Sequence, residues 1–201
     1  MGNLKSKYNR NFLTDNDIEL IINNTSFDRD QILDWYDGFI AQCPTGRMKL
    51  KNFNNFYNQF NPKGNSKKFC KYAFRLFDED NSGYICFKEF ILAVSITTSG
   101  DLIKKLNLAF KLYDIDKDGY VNKKEIVKIM DAMHSLINVE NDWFQADKED
   151  SRKYFQWLDS LANDTVKKLA IRGDTNLISR DEFIEGCLNN CKIKDTLVPY
   201  L

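Results

Sequence analysis

Two stretches built on one plan constrain this chain more than any other feature. They read DEDNSGYICFKEF from Asp78 and DIDKDGYVNKKEI from Asp114. Each has an acidic residue at position one, glycine at six, an aliphatic residue at eight and glutamate at twelve. Oxygen-bearing residues on alternate positions around a tight turn suit calcium, a hard cation that takes six to eight oxygens in flexible geometry. In the first loop Asp78, Asp80 and Ser82 offer side-chain oxygens and Tyr84 offers its main-chain carbonyl. Gly83 permits the turn, and Glu89 closes the site with two oxygens. In the second, Asp114, Asp116, Asp118, the Tyr120 carbonyl and Glu125 repeat these roles, with Gly119 at the turn. Position nine differs: Cys86 in one loop, Asn122 in the other. A thiol is a poor calcium ligand, so water is expected in that place beside Cys86. The Asp114 loop has one carboxylate more than the Asp78 loop and is expected to bind more tightly.

The flanking residues agree with the loops. Cys70, Ala73, Phe74 and Phe77 precede the first at helical spacing, and Phe90, Ala93 and Val94 follow it. Leu106, Ala109, Phe110 and Tyr113 precede the second, with Ile126, Ile129, Met130 and Met133 after it. Two acidic turns between ordinary amphipathic helices would have to match loop and helix register twice by accident. These are two EF-hands. One hand cannot bury its apolar face alone, so each needs a partner. Upstream, CPTGRMKLKNF places Gly46 at six, Met48 at eight and Asn52 at twelve of a loop opening at Ala41. With Cys43 at three and Pro44 at four it has no carboxylate and is not expected to hold metal. Downstream, IRGDTNLISRDEF puts Ile171 at one, Gly173 at three, Thr175 at five, Ile178 at eight and Glu182 at twelve. That loop is also short of ligands, although Asp174 or Asp181 offers a carboxylate to a distorted version of it. The expected fold is all-α, with four EF-hands in two paired lobes and short β-bridges between paired loops. The expected divisions are an N-terminal arm (1–20), a first pair (21–98) and a second pair with its tail (99–201).

Composition narrows the function. Lys plus Arg equals Asp plus Glu at 29 each, so no basic field invites nucleic acid. The longest apolar run, Phe90 to Ile96, is too short to span a bilayer. The start carries Lys and Asn ahead of any apolar stretch and does not read as a secretory signal. Five scattered cysteines fit a reducing, cytoplasmic compartment. Met1-Gly2 followed by Ser6 matches the N-myristoylation pattern, with Gly2 the acylated residue. A single such chain gives reversible membrane binding of order 10⁴ M⁻¹. Lys5, Lys7 and Arg10 add about 1 kcal/mol each against an anionic leaflet. The plainer alternative is a solvated basic terminus. No phosphate-cradling loop or nucleophile motif is present, and one histidine leaves no catalytic constellation. His134 reads as packing, and Cys187 with Cys191 is too poor a donor set for zinc.

The order of degenerate, complete, complete and degenerate hands, with MGNLKSK at the start and WYDGFIAQCPTG around the first hand, resembles the neuronal calcium sensor family. The similarity is to its recoverin and visinin branch and covers nearly the whole chain; the Cys-Pro-x-Gly first hand is its most specific mark. The segment from Ile137 to Thr165, with Trp143, Phe144 and Trp157, is longer than that family's connector, and the tail KIKDTLVPYL has no close match in it. The resemblance implies a sensor whose acyl group rests in an apolar cavity of the first lobe and is expelled when calcium binds. The matching cavity residues are Trp35, Tyr36, Phe39, Phe53, Phe56, Tyr57, Phe60, Phe77 and Phe90, several of which also read as core. It also implies hinges at Gly46 and Gly100, which ordinary turn formation explains equally well. It raises redox sensitivity at Cys43, where a structural thiol is the default reading. The implied activity is regulation of a protein target of the kinase, cyclase or channel class, bound in a hydrophobic groove. The alternative is a calcium buffer without a target.

Overall fold

The computed structural model describes residues 13–60, 66–98, 101–137, 148–170 and 177–198. Among them ten helices run in chain order: α1 (Asp15–Asn24), α2 (Arg29–Gln42), α3 (Leu50–Phe60), α4 (Lys67–Phe77), α5 (Phe87–Thr98), α6 (Leu102–Tyr113), α7 (Lys123–Ile137), α8 (Lys148–Leu169), α9 (Arg180–Asn189) and α10 (Cys191–Leu197). Two short strands, β1 (Tyr120–Asn122) and β2 (Leu177–Ser179), complete the set. The fold is all-α, four helix–loop–helix hands with short β-bridges.

Local chemistry starts and stops these helices. Thr14 and Asp28 each accept an amide from the third helical residue, whose side chain reaches back to the cap, so α1 and α2 begin at full capping boxes. Ser179 and Glu182 do the same for α9. The ends of α4 and α6 are alike: the amides of Asp78 and Asp114 bond the carbonyls of Phe74 and Phe110. Each helix therefore terminates on the first residue of its acidic loop.

The loops pair through their eighth positions. Met48 and Ile85 exchange two main-chain hydrogen bonds of 2.9 and 2.8 Å as an isolated antiparallel bridge. Val121 faces Ile178 at the centre of the antiparallel β1–β2 pair. All four residues are buried. Because side chains alternate across a strand, a shift of one residue would turn these four away from the cores, which fixes the register of both degenerate loops.

Two apolar clusters sit under these bridges. The first gathers Ile21, Ile32, Tyr36, Met48, Phe53, Ile85, Phe90 and Ile91. The second gathers Leu106, Phe110, Tyr113, Val121, Ile126, Ile129, Ile178 and Phe183. Into the second cluster α8 contributes Leu158, Ala162, Val166 and Leu169, and the tail contributes Ile193, Leu197 and Val198. The Tyr113 hydroxyl donates to the Leu197 carbonyl at 2.9 Å and fastens that tail. The division at residue 20 falls inside α1, whose Ile18 and Ile21 belong to the first cluster. Gly2, Gly100, Trp143, Phe144, Asp174 and positions one to six of the fourth loop lie outside the described residues, as does the side chain of Phe60.

Candidate metal centres

The two acidic loops adopt the same backbone path. Position four is left-handed in both, at Asn81 (φ 57°) and Lys117 (φ 62°), and so is position six, at Gly83 (φ 84°) and Gly119 (φ 87°). Asparagine and glycine enter this region easily; lysine does so at some conformational expense. The turn points amides inward. In the first loop the amides of Ser82 and Gly83 donate to the two Asp78 oxygens at 2.9 and 3.0 Å. In the second, the amides of Asp118 and Gly119 donate to the two Asp114 oxygens at 3.1 Å each. Asp78 and Asp114 are both buried carboxylates, and both oxygens of each accept an amide of the loop itself.

The acidic groups converge. Carboxylate oxygens of Asp78, Asp80 and Glu89 lie within 4.8 Å of one another, and so do those of Asp114, Asp116 and Asp118. Ser82 stands at position five of the first loop, where its hydroxyl donates to the Tyr84 carbonyl at 3.0 Å and its amide to Asp80. Hydrogen bonding from the Ser82 side chain, and next from its amide, holds the Asp80 carboxyl below its ordinary pKa. An all-oxygen donor set, rich in carboxylate and mounted on a turn, fits a hard divalent cation such as calcium.

Glutamate at position twelve ties each loop to its exiting helix. Glu89 accepts the Glu79 amide at 3.1 Å on one oxygen and the Cys86 amide at 2.9 Å on the other. Glu125 accepts the Ile115 amide at 2.7 Å and the Asn122 amide at 2.9 Å in the same way. Asn122 also returns a bond, its side-chain oxygen accepting the Glu125 amide at 3.2 Å. That reciprocal cap opens α7, and N-x-x-E was its signal in the sequence. Cys86 stands at the equivalent place; burial pushes its thiol up to about 11, so it stays protonated at neutral pH.

The first hand is built differently. Its Cys43 is buried, and the Gly46 amide bonds the Cys43 carbonyl at 2.9 Å to close a tight turn with Gly46 at φ 69°. In the fourth hand Glu182 keeps position twelve but is engaged by the Ser179 amide and hydroxyl at 2.9 and 2.7 Å. His134 packs against Tyr154 in a tilted arrangement, ring centroids 4.8 Å apart. Cys187 is buried and Cys191 exposed.

Beside the first pair lies an apolar cavity of about 500 Å³, whose lining includes Phe53, Phe56, Tyr57, Phe77 and Phe90 from one cluster and Leu112, Met133 and Val198 from the other. A smaller one of about 310 Å³, lined by Trp35, Phe39 and Met48, shares Phe56 and Phe90 with it. Of the aromatic residues singled out in the sequence, Tyr36, Phe39, Phe53 and Phe90 are buried, while Trp35, Phe56, Tyr57 and Phe77 are only partly covered.

Paired helix–loop–helix units with oxygen-rich loops define an EF-hand calcium-binding protein, and the family model for an EF-hand domain pair matches residues 67–130. Across 196 residues the chain is 32% identical to S-modulin of Aquarana catesbeiana, covering 96% of this chain and 90% of that one. It is 32% identical to recoverin of Homo sapiens over 193 residues, 96% and 91% of the two chains. Neuronal calcium sensor 1 of Aplysia californica is 42% identical over 137 residues, 68% and 69%. The chain belongs to the neuronal calcium sensor family, in its recoverin and visinin branch. It is a calcium sensor of the EF-hand type and not an enzyme.

Proposed function

We propose that this chain holds two calcium ions and uses them to couple a hydrophobic groove and a lipid anchor to a signalling target. Asp78, Asp80, Ser82, the Tyr84 carbonyl and Glu89 form one site; Asp114, Asp116, Asp118, the Tyr120 carbonyl and Glu125 form the other. The observation that carries this reading is the shared loop geometry, with carboxylate oxygens gathered within 4.8 Å in each loop. The first and fourth hands serve as pairing partners, and the chain divides into two lobes near residue 98. Gly2 carries the acyl chain, which makes the protein cytoplasmic and reversibly membrane-associated. Among the described residues no helix is long and apolar enough to cross a membrane. The partly covered aromatic residues around the 500 Å³ cavity offer the groove for a target of the kinase, cyclase or channel class.

A pure calcium buffer would bind the ion with little exposure of apolar surface. Retention on a hydrophobic resin separates the two: the full chain is expected to bind in calcium and elute in chelator. Equal retention in both conditions would favour the buffer.

A further inference from the structure

Arg75 lies on α4, three residues before Asp78, yet its guanidinium reaches the other metal loop. One nitrogen donates to the Ile115 carbonyl and another to the Leu112 carbonyl at 3.1 Å. Leu112 is in the last turn of α6, where carbonyls lack helical partners and carry partial negative charge, a natural seat for arginine. Ile115 is position two of the Asp114 loop. The Ile115 carbonyl shares its peptide unit with the Asp116 amide, which faces a Glu125 oxygen at 3.4 Å. Arg75 therefore grips one edge of a peptide whose other edge meets the carboxylate at position twelve.

Two further contacts join the two hands: Lys111 of α6 with Glu79 at 3.3 Å, and Lys117 with Asn81 at 2.8 Å. Both are exposed, where such pairs contribute little. Arg75 is partly buried; that burial lowers its pKa, opposed by the nearby charges of Asp114, Glu125 and Asp116. A two-pronged, partly desolvated donor is the strongest mechanical link of the three.

We propose that Arg75 couples the two calcium loops, positioning the Ile115–Asp116 peptide from the very helix that ends at Asp78. This rests on the reading that both loops hold calcium. An ion closing the Asp78 loop adjusts the end of α4, and the guanidinium carries that adjustment to the Asp114 loop. By linkage the influence is reciprocal. The positive charge alone opposes a nearby cation, so removing Arg75 has two effects of opposite sign. Only the coupling, measured as a difference, isolates the positioning role.

The test uses the full chain, with Glu89→Gln and Glu125→Gln each made alone and together with Arg75→Ala or Arg75→Lys. Calcium titration by calorimetry should show Glu125→Gln weakening the remaining Asp78 site on the order of fivefold when Arg75 is present. With either Arg75 variant that effect should fall below about twofold, lysine keeping the charge but not the two-pronged donor. In chelator, the Asp116 amide should exchange with solvent faster in both variants than in the parent chain. If Arg75→Ala does not fold, Arg75→Lys decides. An effect of Glu125→Gln that is equal with and without Arg75, or Asp116 exchange that does not change, overturns the proposal while leaving the two sites standing. Two ions still bound after either glutamate change would defeat the site reading and the coupling with it.

Discussion

On the proposed reading, glutamate at position twelve carries two competing duties in each loop. Its two oxygens serve the ion, and the same oxygens hold loop amides of Glu79 and Cys86 in one loop and of Ile115 and Asn122 in the other. Glutamine keeps the shape and one acceptor but removes the charge a divalent cation requires. Ligand chemistry is what proposes these residues from the sequence, because oxygen spacing around a turn is a local matter. Arg75 was not legible: its partner Ile115 is distant in the chain, and no spacing rule connects a helical arginine to a carbonyl in the next hand. The carboxylate count ranks the sites, with Asp114 the tighter within a sensor range of about 10⁻⁷ to 10⁻⁵ M. Calorimetry on the single variants checks it: Glu125→Gln should erase the tight phase, Glu89→Gln the weaker one, and both together all binding. The reverse order would mean that loop geometry outweighs ligand charge.

At the scale of elements, the bridges at position eight were foreseeable and α8 was not. Glycine at position six fixed the alignment of the degenerate first loop, and Met48 accordingly meets Ile85. The stretch that became α8 read as part of a long connector. It does carry buried Leu158, Ala162, Val166 and Leu169 at helical intervals. Phe155 and Trp157, 53% and 52% exposed, blur that periodicity by putting aromatic residues on the outer face. α8 reaches its neighbour where Gly186 of α9 admits the Leu169 side chain. A Cβ on Gly186 would stand 1.9 Å from a Leu169 methyl carbon, and Leu169 is itself fully buried with little room to retreat. Alanine ordinarily favours a helix over glycine by about 1 kcal/mol. Overpacking a core costs about 1–3 kcal/mol, so the clash should prevail. Chemical denaturation of Gly186→Ala in chelator is expected to show a net loss on the order of 1 kcal/mol. A gain would mean that Leu169 finds another rotamer and that the close approach of α8 to α9 matters little.

For the whole molecule, the proposed function requires that ions in the two loops influence an acyl chain at Gly2. An ion can favour the extruded form only by the difference between its affinities for the two forms. The elements for such a difference are close together. The 500 Å³ cavity is lined by Phe77, directly before the Asp78 loop, and by Phe90, directly after it, with Leu112 from the helix that leads to Asp114. Closing either loop is therefore expected to act on residues that wall the cavity. Shelter for the acyl chain and calcium binding should oppose one another, and linkage makes the opposition equal in both directions. Acylated protein is expected to sediment with anionic vesicles in calcium and to remain in the supernatant in chelator. Gly2→Ala, which blocks acylation, should abolish sedimentation and at the same time tighten calcium binding, because no sheltered chain then has to be displaced. The two readouts must move together, one in a vesicle assay and one in a titration without lipid. Equal calcium affinity with and without the acyl chain would make that chain a constant anchor, and the proposed calcium switch on membrane attachment would fall.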